Sequence, residues 1–522
     1  MSATSAGWPG ITPTTIGCPG TGTMRCGLGC GTLPNTISPP GSGVTRPPCL
    51  TEDPSSDRRF GTSLGGIHRL RLTLTHRPGR SCGSLLPNLR GGDMTTVDAS
   101  PVGAGALGRL TLWGLVVGLV AGAGASAFVA LQHHLTHVLW HSLPESLGLH
   151  DIPWWMALGL PVVGAVLTWG AIRLPGHGGH GPMDGFGLDI GPRELGSVVL
   201  AALASLVFGA VLGPEAPLLA IGTASGLALV RSPNSPARQV MALVGAMAAA
   251  GAVLGNPLVT LILLLELALA AGTQVARPAV LIPALAGLGS GYLLQTGLGP
   301  WTGLGYVKLQ IPTLAPYPNV RMVDLLIGVV LAVAVAAVAV FAQRLGGQVL
   351  KAGRKAQLPV LLAAGAVTGL TAVLVSLITG QSPELVLFAG QTSMADYLAL
   401  SSLGVAALIG LGKFVGYVAC LGGGFRGGLM FPSIALGAIL ASVGAMVVGP
   451  EGIPALAATA IAAAGAGSMR LPFTGVLLAT MLTLAAGPAV TVPAILGAVV
   501  GLLTRLVIDA RVPAGEASAP TA

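Results

Sequence analysis

The residues best able to do chemistry in this sequence lie in two short motifs that resemble each other. Residues 213–222 read GPEAPLLAIG and residues 428–437 read GLMFPSIALG, and both fit the pattern G-x-x-x-P-x-x-A-x-G. A second matching pair, AAAGA at 248–252 and at 462–466, occurs at nearly the same offset along the chain. Two matched pairs at nearly the same offset indicate an internal duplication.

Each motif has the composition of a helix that begins beside a ligand. The first turn of a helix has free N–H groups and the positive end of the helix dipole. Proline is tolerated near a helix start, and glycine permits tight turns and the close approach of a ligand. We therefore expect Gly213, Pro217, Gly428 and Pro432 to shape two helix starts that together bind a dehydrated anion.

Glu215 is the acidic residue of the first motif, and apolar residues surround it. A carboxylate within an apolar membrane segment is costly and is usually functional. The simpler alternative is a buried glutamate that only caps its own helix. Both interpretations remain open at the level of the sequence.

The composition indicates that most of the chain faces lipid. Of 522 residues, 52% are hydrophobic and only 8% are charged, whereas soluble domains contain about 25% charged residues. The net charge of +8 arises largely from arginines in the first 100 positions and in short loops. We therefore expect a lipid bilayer, and no nucleic acid, as a partner.

Apolar segments fill the chain from about residue 107 to residue 508. Five are long enough to cross a bilayer, which takes about 20 residues: 107–131, 152–172, 323–343, 357–379 and 400–421. Others are shorter and interrupted by glycine or proline: 196–212, 214–230, 239–255, 257–272, 430–448, 453–467 and 471–486. Short interrupted helices in two matched repeats predict a transport site at the interface of the repeats.

The sequence divides into three predicted regions. Residues 1–100 form a Gly/Pro/Ser/Arg-rich extension that we expect to be disordered, and Met94 suggests that residues 1–93 are an upstream extension. Residues 101–510 form the transmembrane domain, with repeat halves at about 105–275 and 320–508. Residues 511–522 form a short tail.

The basic loop after residue 343 predicts the orientation of the chain. Arg344 and Lys351 stand between two apolar spans, and short loops rich in Lys and Arg face the cytoplasm. We therefore expect a multi-pass protein of the inner (plasma) membrane.

At these motifs the chain resembles the CLC family of chloride channels and anion transporters. Residues 213–217 resemble the family signature G-R-E-G-P, residues 428–432 resemble G-x-F-x-P, and residues 179–182 are a weaker match to G-S-G-I-P. The segments 256–266 and 472–476 are also similar to their family counterparts. The order and spacing of these matches, more than any one of them, carry the resemblance.

The resemblance implies an all-α integral membrane protein with inverted repeats and many tilted and broken helices. It also implies a voltage-gated chloride channel or related transporter that forms a homodimer, carries chloride or another small anion, and needs no cofactor. In the family, the glutamate at the position of Glu215 is the gate. The resemblance also implies roles for other residues at matching positions. The implied anion contacts are His180, Ala216, Leu429, Met430 and Phe431, and the implied loop glycines are Gly179 and Gly181.

Three positions depart from the family pattern, and one of them is Ala486, which stands where the family has an anion-contacting tyrosine. His180 replaces a serine that contacts the anion, so it is either an anion ligand or a loop histidine without a ligand role. Glu266 matches a family glutamate, but Leu267 occupies the position of the proton-transferring glutamate and cannot relay a proton. Glu266 is thus a possible part of a proton pathway or a structural residue, and the pattern favours weak proton coupling.

Other classes of function have less support. The sequence has no H-E-x-x-H motif of a zinc protease and no G-x-S-x-G motif of a serine hydrolase, so we expect no enzyme. His177 and His180 lack the partners that a metal site would need, so we expect no metal. A fluoride- or nitrate-selective transporter and a non-conducting sensor or scaffold of the same fold remain as alternatives to a chloride transporter.

Overall fold

A computed structural model describes residues 103–511, except residues 186, 231, 233–234, 271–276, 303–309 and 354–355. The predicted N-terminal extension and the predicted tail beyond Arg511 lie outside the described residues. The described part contains sixteen α-helices. They are α1 (Ala104–His137), α2 (Leu143–Ser146), α3 (Trp154–Ile172), α4 (Leu195–Leu206), α5 (Glu215–Leu229), α6 (Pro236–Leu254), α7 (Pro257–Ala270), α8 (Pro278–Thr302), α9 (Met322–Gly353), α10 (Gln357–Thr379), α11 (Met394–Leu398), α12 (Leu403–Gly423), α13 (Met430–Val448), α14 (Ile453–Met469), α15 (Pro472–Leu482) and α16 (Thr491–Arg511).

Ten helical segments of the described chain are long and apolar enough to cross a membrane. The five predicted long spans correspond to α1, α3, α9, α10 and α12, which confirms a multi-pass all-α membrane protein. Three segments that the sequence predicted as short form helical segments of 18, 19 and 20 residues instead: Ala237–Leu254, Met430–Val448 and Pro450–Met469. Two further spans, Pro278–Gly297 and Pro488–Arg511, were not predicted. Glycine and proline misled the prediction because neighbouring helices support such residues inside a membrane protein.

The packing of α1 against α8 shows how the abundant glycines are used. A Cβ atom on Gly122 would lie 2.9 Å from the Cα atom of Gly291. Gly114 and Gly118 of α1 likewise face the α8 backbone at Pro283 and Gly287. Small residues at spacings of four let the two helices approach closely where burial of apolar surface gives little drive.

The two halves of the chain repeat the same packing. Helix α5 packs on α6 in the first half, and α13 packs on α14 in the second. Helix α8 packs on α1 and α6, as α16 packs on α9 and α14. Each motif helix therefore lies against the helix that carries the repeated AAAGA sequence, and the inverted-repeat fold that the sequence predicted is present.

The ends of the helices define two sides of the molecule. Arg344 and Lys351 lie in the C-terminal part of α9, and we call this end the basic side. A Cβ atom on Gly347 would lie 3.7 Å from Met183, so the loop after α3 is on the basic side as well. Glu384 follows the far end of α10 and pairs with His141 at 3.2 Å. We call that end the acidic side.

Candidate anion site

The two sequence motifs meet through an isolated antiparallel bridge between Gly213 and Gly428. The N–H group of Gly213 donates to the Gly428 carbonyl at 3.0 Å, and the N–H group of Gly428 donates to the Gly213 carbonyl at 2.6 Å. The bridge therefore places the starts of α5 and α13 side by side, one from each repeat.

Proline occupies the same place in both helices. Pro217 is the third residue of α5, which begins at Glu215, and Pro432 is the third residue of α13, which begins at Met430. The first four N–H groups of a helix have no partner within that helix, so the missing proline donor costs nothing there. The remaining N–H groups of these first turns are available to an anion.

The carboxylate of Glu215 lies on the N-terminus of α13 rather than on its own helix alone. Its Oε1 atom accepts a hydrogen bond from the Phe431 N–H group at 3.0 Å. The side chain is only 7% exposed, and its Oε2 atom is buried without a hydrogen-bond partner among the described residues. A negatively charged group thus occupies the place that the sequence predicts for an anion.

The two bridge glycines are required by the position of this carboxylate. A Cβ atom on Gly213 or on Gly428 would lie 2.5 Å from the Glu215 Cδ atom. Any larger residue at either position would therefore displace the carboxylate. The motif glycines make room for Glu215 as well as forming the bridge.

A cavity on the basic side adjoins the start of α5. Ala216 and Pro217 line it, together with His180 and Arg426. The structure therefore brings His180 and Ala216, two of the predicted anion contacts, to one cavity. Leu429, Met430 and Phe431 lie at the start of α13 and do not line this cavity. The side chains of Met430 and Phe431 are buried, so only their backbone groups are candidates for anion contact.

His180 already has a partner in this loop. Its Nε2 atom lies 2.6 Å from the Asp189 Oδ1 atom. Gly179 adopts a left-handed backbone with φ of +71°, and the N–H group of Gly181 donates to the Asp184 carboxylate at 2.7 Å. The loop glycines thus shape the turn, and His180 would contact an anion only through the part of its ring that Asp189 leaves unoccupied.

Arg426 supplies the positive charge of the cavity. Its Nη2 atom donates to the His177 carbonyl at 3.1 Å, and its Nε atom is buried without a partner among the described residues. Asp184 is the nearby carboxylate, although no ion pair within 4 Å joins it to Arg426 in the described chain. A guanidinium with an unused donor favours an anion at this end of the cavity.

Glu266 caps a different helix of the second half. Its Oε1 atom accepts from the Phe473 N–H group at 2.9 Å, and its Oε2 atom accepts from the N–H and hydroxyl groups of Thr474 at 2.9 and 2.7 Å. These donors form the first turn of α15. With both oxygens satisfied, the arrangement favours the structural interpretation of Glu266 over a role in proton transfer.

Sequence reasoning missed Lys413, a fully buried lysine on α12. Its Nζ atom lies within 3.0 to 3.4 Å of four successive carbonyl oxygens, those of Leu385, Val386, Leu387 and Phe388. A lone lysine in an apolar span is itself a signal of function. The sequence alone could have singled out Lys413 as a candidate functional residue. It could not have identified the carbonyl partners, which lie 25 to 28 residues away in the chain.

Tyr417 lies one helical turn beyond Lys413 and holds the start of α13. Its hydroxyl group donates to the Leu429 carbonyl at 3.0 Å and lies 3.3 Å from the Ser433 hydroxyl. The same face of α12 therefore supports both the turn that carries residues 385–388 and the helix start that receives Glu215.

Comparison with known proteins agrees with this geometry. The family model described as voltage gated chloride channel matches residues 177–505, which is more than half of the chain. This chain belongs to the CLC family. Among curated proteins, one relative is the putative ion-transport protein YfeO of Salmonella paratyphi A, 27% identical over 343 residues, covering 63% of this chain and 79% of the relative. The YfeO protein of Escherichia coli strain SMS-3-5 is 28% identical over 348 residues, covering 63% and 78%.

Solved structures show the same CLC fold. A slow cyanobacterial Cl⁻/H⁺ antiporter superposes with a TM-score of 0.63 at 18% identity, covering 77% of this chain and 95% of the other. A CLC-type fluoride/proton antiporter superposes with a TM-score of 0.56 at 19% identity, covering 78% and 98%. At these identities the likeness concerns the fold.

Proposed function

We propose that this CLC protein transports small inorganic anions, most directly chloride, through a pathway that Glu215 gates. The observation that carries the proposal is the hydrogen bond of 3.0 Å from the Phe431 N–H group to the Glu215 carboxylate. An anion of similar charge would bind the same helix start once the carboxylate leaves.

The gate works by competition for one set of backbone donors. While Glu215 is ionised, it occupies the amides at the start of α13 and excludes a second anion by like-charge repulsion. A protonated Glu215 is neutral, so it binds those amides less strongly and chloride replaces it. The backbone groups of Leu429, Met430 and Phe431, with Ala216 from α5, would then hold the chloride ion.

The pathway continues into the basic-side cavity. By the positive-inside rule this side is cytoplasmic, which suits the inner (plasma) membrane of a bacterium. His180 and Arg426 would meet the anion there, His180 as a hydrogen-bond donor and Arg426 as a fixed positive charge. Family membership supports a homodimer with one such pathway in each subunit, which light scattering of the purified protein would test.

We expect weak proton coupling or none. Leu267 carries no proton, and each oxygen of Glu266 already accepts hydrogen bonds from the start of α15. A proton passing along this route would have to break those bonds first.

Anion efflux from vesicles that hold the purified protein, with external pH recorded at the same time, tests the proposal. We expect chloride efflux without opposed proton movement. Opposed proton movement would contradict uncoupled transport and require a route that bypasses Leu267. Efflux of fluoride or nitrate alone would keep the transport function but change the substrate, and absence of any anion flux would favour a sensor or scaffold.

A further inference from the structure

Three arginines on the basic side converge on a single carboxylate. The Oδ1 atom of Asp509 accepts a hydrogen bond from the Arg344 Nη2 atom at 2.8 Å. Its Oδ2 atom accepts from the Arg470 Nη2 atom and from the Arg505 Nε atom, both at 2.7 Å. We call these four residues the arginine hub. Three guanidinium groups against one carboxylate leave the hub with a net charge of +2.

Backbone and amide groups hold the hub in one arrangement. The Arg505 Nη1 atom donates to the Gly467 carbonyl and to the Gln343 Oε1 atom, both at 3.0 Å. The Arg344 Nη2 atom also donates to the Ile508 carbonyl at 3.1 Å. Gly467 lies in the last turn of α14, where carbonyl groups have no partner within the helix. The arginines are therefore held in place before any ligand arrives, which lowers the entropic cost of binding one.

The hub has more positive charge than the carboxylates around it balance. In the described part of the chain, Asp509 is the only carboxylate within 4 Å of Arg344 or Arg505. The side chains of these two arginines are 20% and 17% exposed, so both reach the surface. A partly buried cluster with excess positive charge attracts an anionic group from outside the chain.

The hub lies at the cytoplasmic edge of two apolar helix faces. Val507 on α16 and Leu345 and Val349 on α9 are exposed, although both helices are long and apolar enough to cross a membrane. Val507 is two residues from Asp509, and Leu345 directly follows Arg344. Exposed apolar residues of a membrane-spanning helix contact acyl chains, and basic residues near its cytoplasmic end lie at the level of the headgroups. The hub is thus close to the headgroups of the cytoplasmic leaflet.

We propose that the arginine hub binds the phosphate group of an anionic lipid in the cytoplasmic leaflet, with the acyl chains along the exposed apolar residues of α9 and α16. Guanidinium groups donate paired N–H groups to phosphate oxygens and bind phosphate with more specific geometry than lysine does. Basic pockets between membrane helices on the cytoplasmic side are typical sites for anionic headgroups. The proposal does not depend on Glu215, so lipid binding and gating are tested separately.

A bound lipid would brace the part of the second half that receives Glu266. Arg470 follows the last residue of α14 and adopts a left-handed backbone with φ of +59°. Pro472 begins α15 directly after Leu471, and Glu266 caps that helix start. A headgroup that bridges Arg470 and Arg344 joins the end of α14 to α9. Because such a ligand binds the folded protein only, it should raise the resistance of the protein to heat.

Heating of the purified protein in an uncharged detergent, followed by size-exclusion chromatography, tests the proposal. Phosphatidylglycerol should raise the temperature at which half of the protein is lost, in a saturable manner. Phosphatidylcholine should have a much smaller effect, because its choline group balances the phosphate charge. Arg344→Gln should raise the half-saturating phosphatidylglycerol concentration about fivefold, since one basic residue is lost. Arg344→Lys should give an intermediate value, because lysine keeps the charge but not the paired donors.

Arg321→Gln is the matched control. Arg321 lies on the acidic side and pairs with two carboxylates, those of Asp324 at 3.4 Å and of Glu451 at 2.8 Å. Its loss should therefore leave the half-saturating phosphatidylglycerol concentration unchanged. An equal shift in Arg321→Gln and Arg344→Gln would overturn the proposal, as would equal protection by phosphatidylcholine.

Two further measurements distinguish a lipid from other occupants of the hub. Inorganic phosphate should not protect the protein from heat, and equal protection by phosphate would indicate a site for soluble anions and overturn the lipid proposal. Native mass spectrometry of the unchanged protein should show phosphatidylglycerol retained in preference to phosphatidylcholine, which keeps the proposal testable even if Arg344→Gln does not fold. No preference between the lipids, or a change of oligomeric state in Arg344→Gln without weaker lipid binding, would contradict it.

Discussion

Two glutamates of the first half each place a carboxylate on a helix start of the second half, yet they are held very differently. Glu215 is 7% exposed and Glu266 is 6% exposed, so burial does not distinguish them. One oxygen of Glu215 accepts a single backbone hydrogen bond and the other accepts none. Both oxygens of Glu266 are occupied, by three donors in total.

The difference shows how a carboxylate on a helix start can serve as a gate in one place and as a fixed helix cap in another. An ionised carboxylate with three donors loses several hydrogen bonds if it moves, whereas one with a single donor loses little. Cavities adjoin Glu215 at both neighbouring residues, and neither of them is lined by Glu266. Freedom to leave, rather than the carboxylate itself, makes Glu215 a candidate gate.

The largest effect is expected for Glu215→Gln, which removes the charge of the candidate gate. Flux at neutral pH should rise about tenfold towards its acid value, since the lost charge-assisted hydrogen bond contributes about 1.5 kcal/mol. The chloride flux should also depend less on pH. Chloride efflux from vesicles between acid and neutral pH measures this change. An unaltered pH profile would show that Glu215 is not the gate.

Glu266→Gln should act on stability instead. The amide offers one acceptor oxygen in place of two, so donors at the start of α15 lose their partner at a cost of about 2 kcal/mol. We expect less folded protein after heating in detergent, measured by size-exclusion chromatography. The Glu266→Gln protein that remains folded should show the same pH dependence of chloride flux as the unchanged protein. A flattened pH profile of chloride flux would instead support a role for Glu266 in a proton pathway.

Thr474→Val tests the cap from its other side and should have a smaller effect. It removes one of the three donors to Glu266 and keeps the size of the side chain, so the loss is about 1 kcal/mol. The same heating assay measures it. A loss as large as that of Glu266→Gln would show that the threonine hydroxyl, rather than the carboxylate, carries the stability of this helix start.

His180→Ser should produce the smallest change, a shift of a few-fold in the preference among chloride, nitrate and fluoride. Serine restores the family residue and breaks the contact with Asp189, so an anion in the basic-side cavity would meet a hydroxyl donor instead of the ring. Flux ratios for the three anions measure the preference. Identical ratios before and after would mean that backbone donors alone set selectivity.

The sequence predicted the gate region better than the cap. The repeated motif located the starts of α5 and α13, because glycine and proline at fixed spacing restrict the backbone locally. The contact of Glu266 with Thr474 spans 208 residues, and no local pattern specifies such a pair. The carbonyl partners of Lys413 escaped notice for the same reason, since they lie 25 to 28 residues away in the chain. The roles predicted for His180, Ala216 and the α13 amides stay predictions.

The bridge between Gly213 and Gly428 also constrains how the protein is made. The first half of the chain is synthesised and reaches the membrane long before Gly428 is made. During that time the start of α5 lacks its partner, the start of α13. Bringing together groups so distant in the chain is entropically costly and slow. Until the second half inserts, Glu215 has no Phe431 amide to bind. The pathway is therefore completed only late in folding, and a chain that stops before α13 cannot assemble it.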